Sequence, residues 1–269
     1  SNSNYVLLTF ILEKSYNKPF KELLNEKIIK PIGLKNTLYG GQINLANNEA
    51  YSYTYTGSWE KGTSTDMSIP QGAGAVISTP EDISRFIEAL FAGKIISKVS
   101  LDQMKTIKDG YGFGMFEIPF DGKKAIGHNG GIDGFISVVM YFPEDKITVA
   151  TTSNGVNMNT NDVSTTLLNW VYNKPFEIPS FKVYPYTAEE LNSFAGEYTT
   201  DEMPFGFTIA VAGNSITAQA TGQGAFPLES VEKDIFKFEM AGIVIKFNRA
   251  ENNFLFSQGP YSATFKKKA

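Results

Sequence analysis

An α+β fold is predicted for this chain: an antiparallel sheet flanked by helices, followed by a small all-β barrel. Three observations carry it. Apolar residues recur at helical spacing in residues 5–28 and 79–93. Between Tyr111 and Asn154 the period changes to that of strands, with turn residues between the runs. Beyond a proline cluster, strict alternation continues to the C-terminus.

The opening "SNSNYVLLTFILEK" places Val6, Leu7, Phe10 and Ile11 on one face of an amphipathic helix. After "SYNKP", Phe20, Leu23, Leu24 and Ile28 repeat the pattern until Pro31 and Gly33 stop it. Residues 37–75 are rich in Tyr, Gly, Asn, Ser and Thr and read as a long loop with short elements, a kind of segment that usually carries function. In "STPEDISRFIEALFAG", Thr79 suits the cap, Pro80 the first turn, Asp82 a capping box and Gly93 the stop, with Ile83, Phe86, Ile87 and Leu90 as the buried stripe.

Four strands follow, in "YGFGMFEI", "KAIGHNGGIDGF", "ISVVMYF" and "ITVATTSNG". Val163, Leu167, Leu168 and Val171 mark a closing helix, and Pro175, Pro179 and Pro185 mark a linker. The expected organisation is a mixed domain over 1–173, a linker over 174–186 and a barrel of about eight strands over 187–269.

Composition excludes several classes. A net charge of −4, with only Arg85 and Arg249 as arginines, leaves no basic field for nucleic acid. The absence of cysteine removes disulfides, zinc–thiolate sites and a thiol nucleophile. No metal or cofactor is expected. The apolar run Tyr5 to Leu12 is far short of the roughly 20 residues that span a bilayer, so no transmembrane segment is expected in this chain.

His128, the single histidine, lies in "GHNGGIDGF". A Gly-Gly pair inside a strand removes side chains where something approaches the backbone closely. On an edge strand, a free N–H there can bind an extended substrate and polarise a carbonyl oxygen. A β-bulge would use Gly130-Gly131 equally well.

The segments "SNSNYVLLTFILEK", "KPFKELLNEKIIKPIGLKNT", "GAGAVISTPEDISRF", "YGFGMF" and "HNGGIDGFISVVMYFPEDKITVATTSN" together resemble the serine β-lactamase/penicillin-binding-protein superfamily, in its class C-type and D-alanyl-D-alanine carboxypeptidase-like branch. The likeness covers about residues 1–173, which would be the C-terminal portion of a β-lactamase/transpeptidase-like domain. "FAGEYTTDE" and the strands after it resemble an appended lipocalin-like barrel.

That family builds its site from Ser-x-x-Lys, Tyr-x-Asn and Lys-or-His-x-Gly. By resemblance, His128-Asn129-Gly130 is the third motif, with His128 placing a substrate carboxylate or tuning its neighbours. Gly131 then holds the position whose N–H joins the oxyanion hole, and Asn129 and Gly130 line the substrate. Ser1-Asn2 fits the end of the second motif, so Asn2 would bond the acyl-amide and a tyrosine is expected before Ser1. "SYNK" (Ser15 to Lys18) and "SWEK" (Ser58 to Lys61) match the first motif only in letters. Lys18 precedes Pro19, and Ser58 lies in a Tyr/Thr/Gly loop, so neither pair is expected one turn apart on a helix.

The resemblance therefore implies a serine hydrolase whose nucleophile segment is missing from this chain. It would work by acyl transfer on amide, β-lactam or ester substrates, including peptidoglycan-like peptides, in the periplasm, the cell envelope or outside the cell. The competing reading is a non-catalytic binding or sensor protein that retains the fold, or a barrel that holds an apolar ligand.

Overall fold

The computed structural model describes every residue except Thr56, Gly57, Glu177, residues 179–182 and Ala269, so part of the expected linker lies outside the described residues. Two compact units result: Ser1–Thr54 with Glu60–Val156, and Tyr55–Trp59 with Asn157–Ala269.

The first unit begins with α1 (Asn2–Tyr16), as its periodicity predicts, but the apolar face is not its buried one. Thr9 is the buried residue, while Leu7, Phe10 and Ile11 are about half exposed. The reason is the neighbour. α1 packs against the backbone of a single turn, Gln71–Ala73, where Gly72 approaches so closely that a Cβ would lie 2.4 Å from Thr9 Oγ1. A small hydroxyl fits that contact and also accepts the Gly72 N–H at 3.1 Å.

The second helical run is broken into α2 (Phe20–Leu24), a π-helical turn Asn25–Ile29 and α3 (Lys30–Ile32). Pro31 does not stop it. The wide π-turn precedes the proline, a device that tolerates the missing N–H, and the chain leaves the helix only at Gly33 in the left-handed region.

Short pairs follow: β1 (Leu38–Tyr39) with β4 (Val76–Ile77), and β2 (Tyr53–Tyr55) with β3 (Trp59–Lys61). α4 (Pro80–Phe91) has the predicted Thr79 cap, which accepts Asp82 N–H at 3.3 Å. The expected return bond is absent. Asp82, 2% exposed, instead accepts from Asn36 N at 2.7 Å and Thr37 Oγ1 at 2.9 Å, tying α4 to the chain before β1.

After α5 (Lys98–Met104), β5 (Phe116–Phe120), β6 (Lys123–Ile132), β7 (Phe135–Phe142) and β8 (Ile147–Ser153) form a four-stranded antiparallel sheet in chain order. The strand predicted from Tyr111 begins only at Phe116, because residues 108–115 fold back on themselves through Lys108–Tyr111 and Gly112–Met115 bonds. α4 packs on β7 and β8, with Phe91 and Tyr141 ring centroids 4.7 Å apart.

In the second unit, α6 (Thr160–Val171) and α7 (Ala188–Phe194) precede eight strands: β9 (Gly196–Thr199), β10 (Phe207–Ala212), β11 (Ser215–Ala220), β12 (Phe226–Glu232), β13 (Ile235–Phe238), β14 (Ile243–Asn248), β15 (Asn253–Gln258) and β16 (Tyr261–Lys267). They close into an antiparallel barrel in which β16 pairs β9. Alternation sends Phe207, Phe236, Phe247, Phe254, Phe256 and Phe265 inward, where their rings meet at centroid distances of 4.8–6.5 Å with Tyr198 and Phe205 among them. α7 adds Leu191 and Phe194 to the same core.

Candidate active site

β6 carries the predicted motif, and its register decides what the motif can do. Two-residue turns close both of its hairpins: Asp121-Gly122 with φ of 48° and 75°, and Asp133-Gly134 with φ of 54° and 93°. Positive φ at both positions is the type I′ arrangement, which Asp-Gly favours. The residues flanking such a turn exchange both backbone bonds, and pairs alternate from there. His128, Gly130 and Ile132 therefore direct their N–H and C=O groups to Val139, Ser137 and Phe135. Asn129 and Gly131 direct theirs to the opposite edge.

That edge is open. β5 pairs with β6 only from Phe120↔Lys123 to Phe116↔Gly127, and then the chain turns away at residues 111–115. His128, Asn129, Gly130 and Gly131 are all exposed. Gly130 permits the narrow strand, since a Cβ there would lie 2.6 Å from Ser137 Oγ.

The His128 ring packs against Phe116 at a centroid distance of 5.2 Å, and its Nδ1 hydrogen-bonds the Asn129 carbonyl. A carbonyl can only accept, so Nδ1 carries the proton and the Nε2 of a neutral ring remains available as an acceptor. Phe116 in turn packs on Tyr111. The site thus joins an N–H on an open strand edge to an exposed imidazole held on an aromatic shelf.

α1 approaches this edge by two routes. Tyr5 meets the turn before β5, where a Cβ on Gly114 would lie 3.4 Å from Tyr5 Oη. Thr9 meets Gly72, and two residues on, a Cβ on Gly74 would lie 3.9 Å from Ile132 Cδ1 at the far end of the motif. Asn2 opens α1 and is exposed; among the described residues no hydrogen bond or ring contact joins it to His128.

Neither Ser-x-x-Lys match forms a catalytic pair. α1 ends at Tyr16, Asn17 is left-handed, and Lys18 Nζ lies 2.7 Å from Glu26. Lys61 is on a strand, with its amine 3.2 Å from the centroid of the Tyr51 ring. Among the described residues no cluster of His, Asp or Glu could hold a metal ion, and no helix is long and apolar enough to cross a membrane.

Sequence reasoning missed Asp133. Its carboxylate accepts from Thr65 N at 2.6 Å, Thr65 Oγ1 at 2.7 Å and Thr63 Oγ1 at 3.3 Å. The signals were a Thr-x-Thr and an Asp-Gly, with nothing in the sequence to pair them.

Residues 1–174 match the family model described as Beta-lactamase. The chain is 27% identical over 176 residues to penicillin-binding protein 4* of Bacillus subtilis (strain 168), covering 57% of this chain and 39% of that one. It is 26% identical over 211 residues to the D-alanyl-D-alanine-carboxypeptidase/endopeptidase AmpH of Escherichia coli (strain K12), covering 67% and 52%. Among solved structures, the octameric penicillin-binding protein homologue from Pyrococcus abyssi superposes with a TM-score of 0.59 at 23% identity, over 98% of this chain and 64% of that one. The chain therefore spans about half or less of the length of these curated relatives.

Proposed function

This chain belongs to the beta-lactamase family of serine hydrolases, and on that premise we propose that it forms the oxyanion and substrate side of an acyl-transfer site acting on amide or peptide bonds, D-alanyl-D-alanine peptides foremost. The observation that carries the proposal is the register of β6, which turns Gly131 N–H onto an exposed, unpaired strand edge beside His128. Residues 1–173 contribute to the catalytic domain and 187–269 form the appended barrel.

In this reading a serine hydroxyl attacks the scissile carbonyl and passes its proton to a lysine/tyrosine pair. The carbonyl oxygen gains the electron pair and receives the Gly131 N–H. The leaving amine takes a proton as the C–N bond breaks, and water then releases the acyl group. Losing one oxyanion donor costs about 10²–10³ in rate. His128 assists beside the proton-transfer pair or holds a substrate carboxylate, Asn129 and Gly130 line the substrate strand, and Asn2 bonds the acyl-amide. The serine, its lysine and the tyrosine come from outside residues 1–269, since Lys18 and Lys61 are engaged elsewhere. The relatives' names as penicillin-binding proteins support a place in the cell envelope or outside the cell.

The ligand-carrying reading of the barrel has little room, because buried phenylalanine rings occupy its interior. Intact-mass analysis with benzylpenicillin and with p-nitrophenyl acetate tests the proposal. Residues 1–269 alone are expected to show no stoichiometric adduct, whereas a longer natural chain acquires one at a serine preceding Ser1. Acylation of Ser15 or Ser58 in the short chain would overturn the assignment, and a longer chain that never acylates would favour a binding or sensor protein.

A further inference from the structure

We propose that Asp133 is a positioning residue that fixes the direction of the Gly131 N–H by clamping the β6–β7 turn to the segment Thr63–Thr65, an inference that rests on the acyl-transfer reading of this edge. A type I′ turn needs Asp, Asn or Gly at its first central position for conformational reasons alone. Here the side chain does more. An ionised carboxylate only accepts, and this one is met by a backbone N–H and two hydroxyls from a segment 68–70 residues away in the chain.

The backbone is built for the contact. At Gly62 a Cβ would lie 2.4 Å from Ser52 Oγ and 2.6 Å from the Asp133 carbonyl, so only glycine lets this strand reach the turn. Gly62 N–H donates to Ser52 O at 2.8 Å, and a Cβ on Gly134 would lie 3.0 Å from Tyr53 O. The turn is thus wedged between residues 52–53 and 62–65. Gly131 is two residues from it, on an edge with no β5 partner to steady it. A strand end without a neighbour on that side frays and twists freely. The carboxylate supplies the missing restraint.

Hydrogen–deuterium exchange on wild type, Asp133→Ala, Asp133→Asn and Thr65→Val tests the clamp. Asp133→Ala should speed amide exchange at Gly130, Ile132 and Thr65, whose N–H groups are hydrogen-bonded, by about tenfold or more. Asp133→Asn, whose amide turned about χ2 offers its oxygen to the Thr65 N–H and its NH2 to the two hydroxyl oxygens, should stay within about threefold of wild type, and Thr65→Val should fall between them. In a full-length chain that acylates with p-nitrophenyl acetate, Asp133→Ala should lower kcat about tenfold with KM changed less than twofold, and Asp133→Asn should restore most of it. Unchanged exchange in folded Asp133→Ala, or in Thr65→Val should alanine fail to fold, overturns the clamp. Faster exchange with unchanged kcat overturns its positioning role. A wild-type full-length chain that never acylates sinks the hydrolase reading and the positioning role with it, while the exchange result still decides the clamp.

Discussion

Thr9 and Gly72 share one hydrogen bond that seats the first helix. Gly72 N–H donates to Thr9 Oγ1 at 3.1 Å, and Thr9 passes its own hydrogen to the Tyr5 carbonyl at 3.0 Å. Thr9 is 1% exposed on a helix whose leucines face outward. Thr9→Val keeps the shape and strands the Gly72 N–H, so it should cost about 1–3 kcal/mol in denaturant unfolding. A loss below about 0.3 kcal/mol would show that this bond does not hold α1.

Two glycines of β6 should respond oppositely to alanine. At Gly131 the nearest atom to a Cβ is Ile136 Cδ1 at 3.5 Å, ordinary contact with a side chain. At Gly127 it would collide with the Val139 backbone carbonyl. Gly131→Ala is expected to stay within about 0.5 kcal/mol of wild type, and Gly127→Ala to lose about 3 kcal/mol or more, read as shifts in thermal midpoint. Equal losses would refute the register.

The barrel core should be sensitive to single ring deletions. Phe254 is fully buried and meets Tyr198, Phe207, Phe247 and Phe265 at centroid distances of 4.8–5.8 Å. Phe254→Ala should cost about 3–5 kcal/mol, and Phe254→Leu markedly less. Calorimetric melts decide it; near-equal midpoints for Phe254→Ala and wild type would mean the core collapses around the gap.

Stability should fall at high pH through Tyr198. Burial pushes its phenol up to about 12, and its Oη donates to Phe194 O at 2.9 Å. An unfolded tyrosine releases its proton near 10, so between about pH 10 and 12 the unfolded state binds fewer protons and is favoured as pH rises. The contribution is fully present below pH 10, and its loss reaches ~2 kcal/mol at most by pH 12. Tyr198→Phe should flatten this slope relative to wild type in melts from pH 9 to 11.5, and parallel curves would assign the alkaline loss to other groups.

Local signals account for what was legible in advance. Thr79 and Pro80 announced the start of α4, and period-two apolar residues the barrel, because each depends on residues within a few positions of one another; the Asp133-Gly134 turn went unread inside the expected strand "KAIGHNGGIDGF". Pro31 misled for the complementary reason. A proline rule assumes an ordinary α-turn before it, and the π-turn at Asn25–Ile29 is not announced by its residues.

By itself the sequence determined the α+β class, the barrel and the placing of His128–Gly131 on a strand. Periodicity and turn chemistry are properties of neighbouring residues, and they survive without knowledge of what packs where. Only the tertiary structure decided that Thr9 rather than Leu7 or Phe10 faces inward, that Asp82 turns to Asn36 and Thr37, and that Asp133 grips Thr65. It also decided that β5 leaves β6 at Gly127, which is what frees the Gly131 edge. For Thr9, Asp82 and Asp133 the partner lies tens of residues away. A carboxylate or an unpaired strand edge takes whichever donor the fold delivers within about 3 Å, and no pattern along the chain encodes that distance.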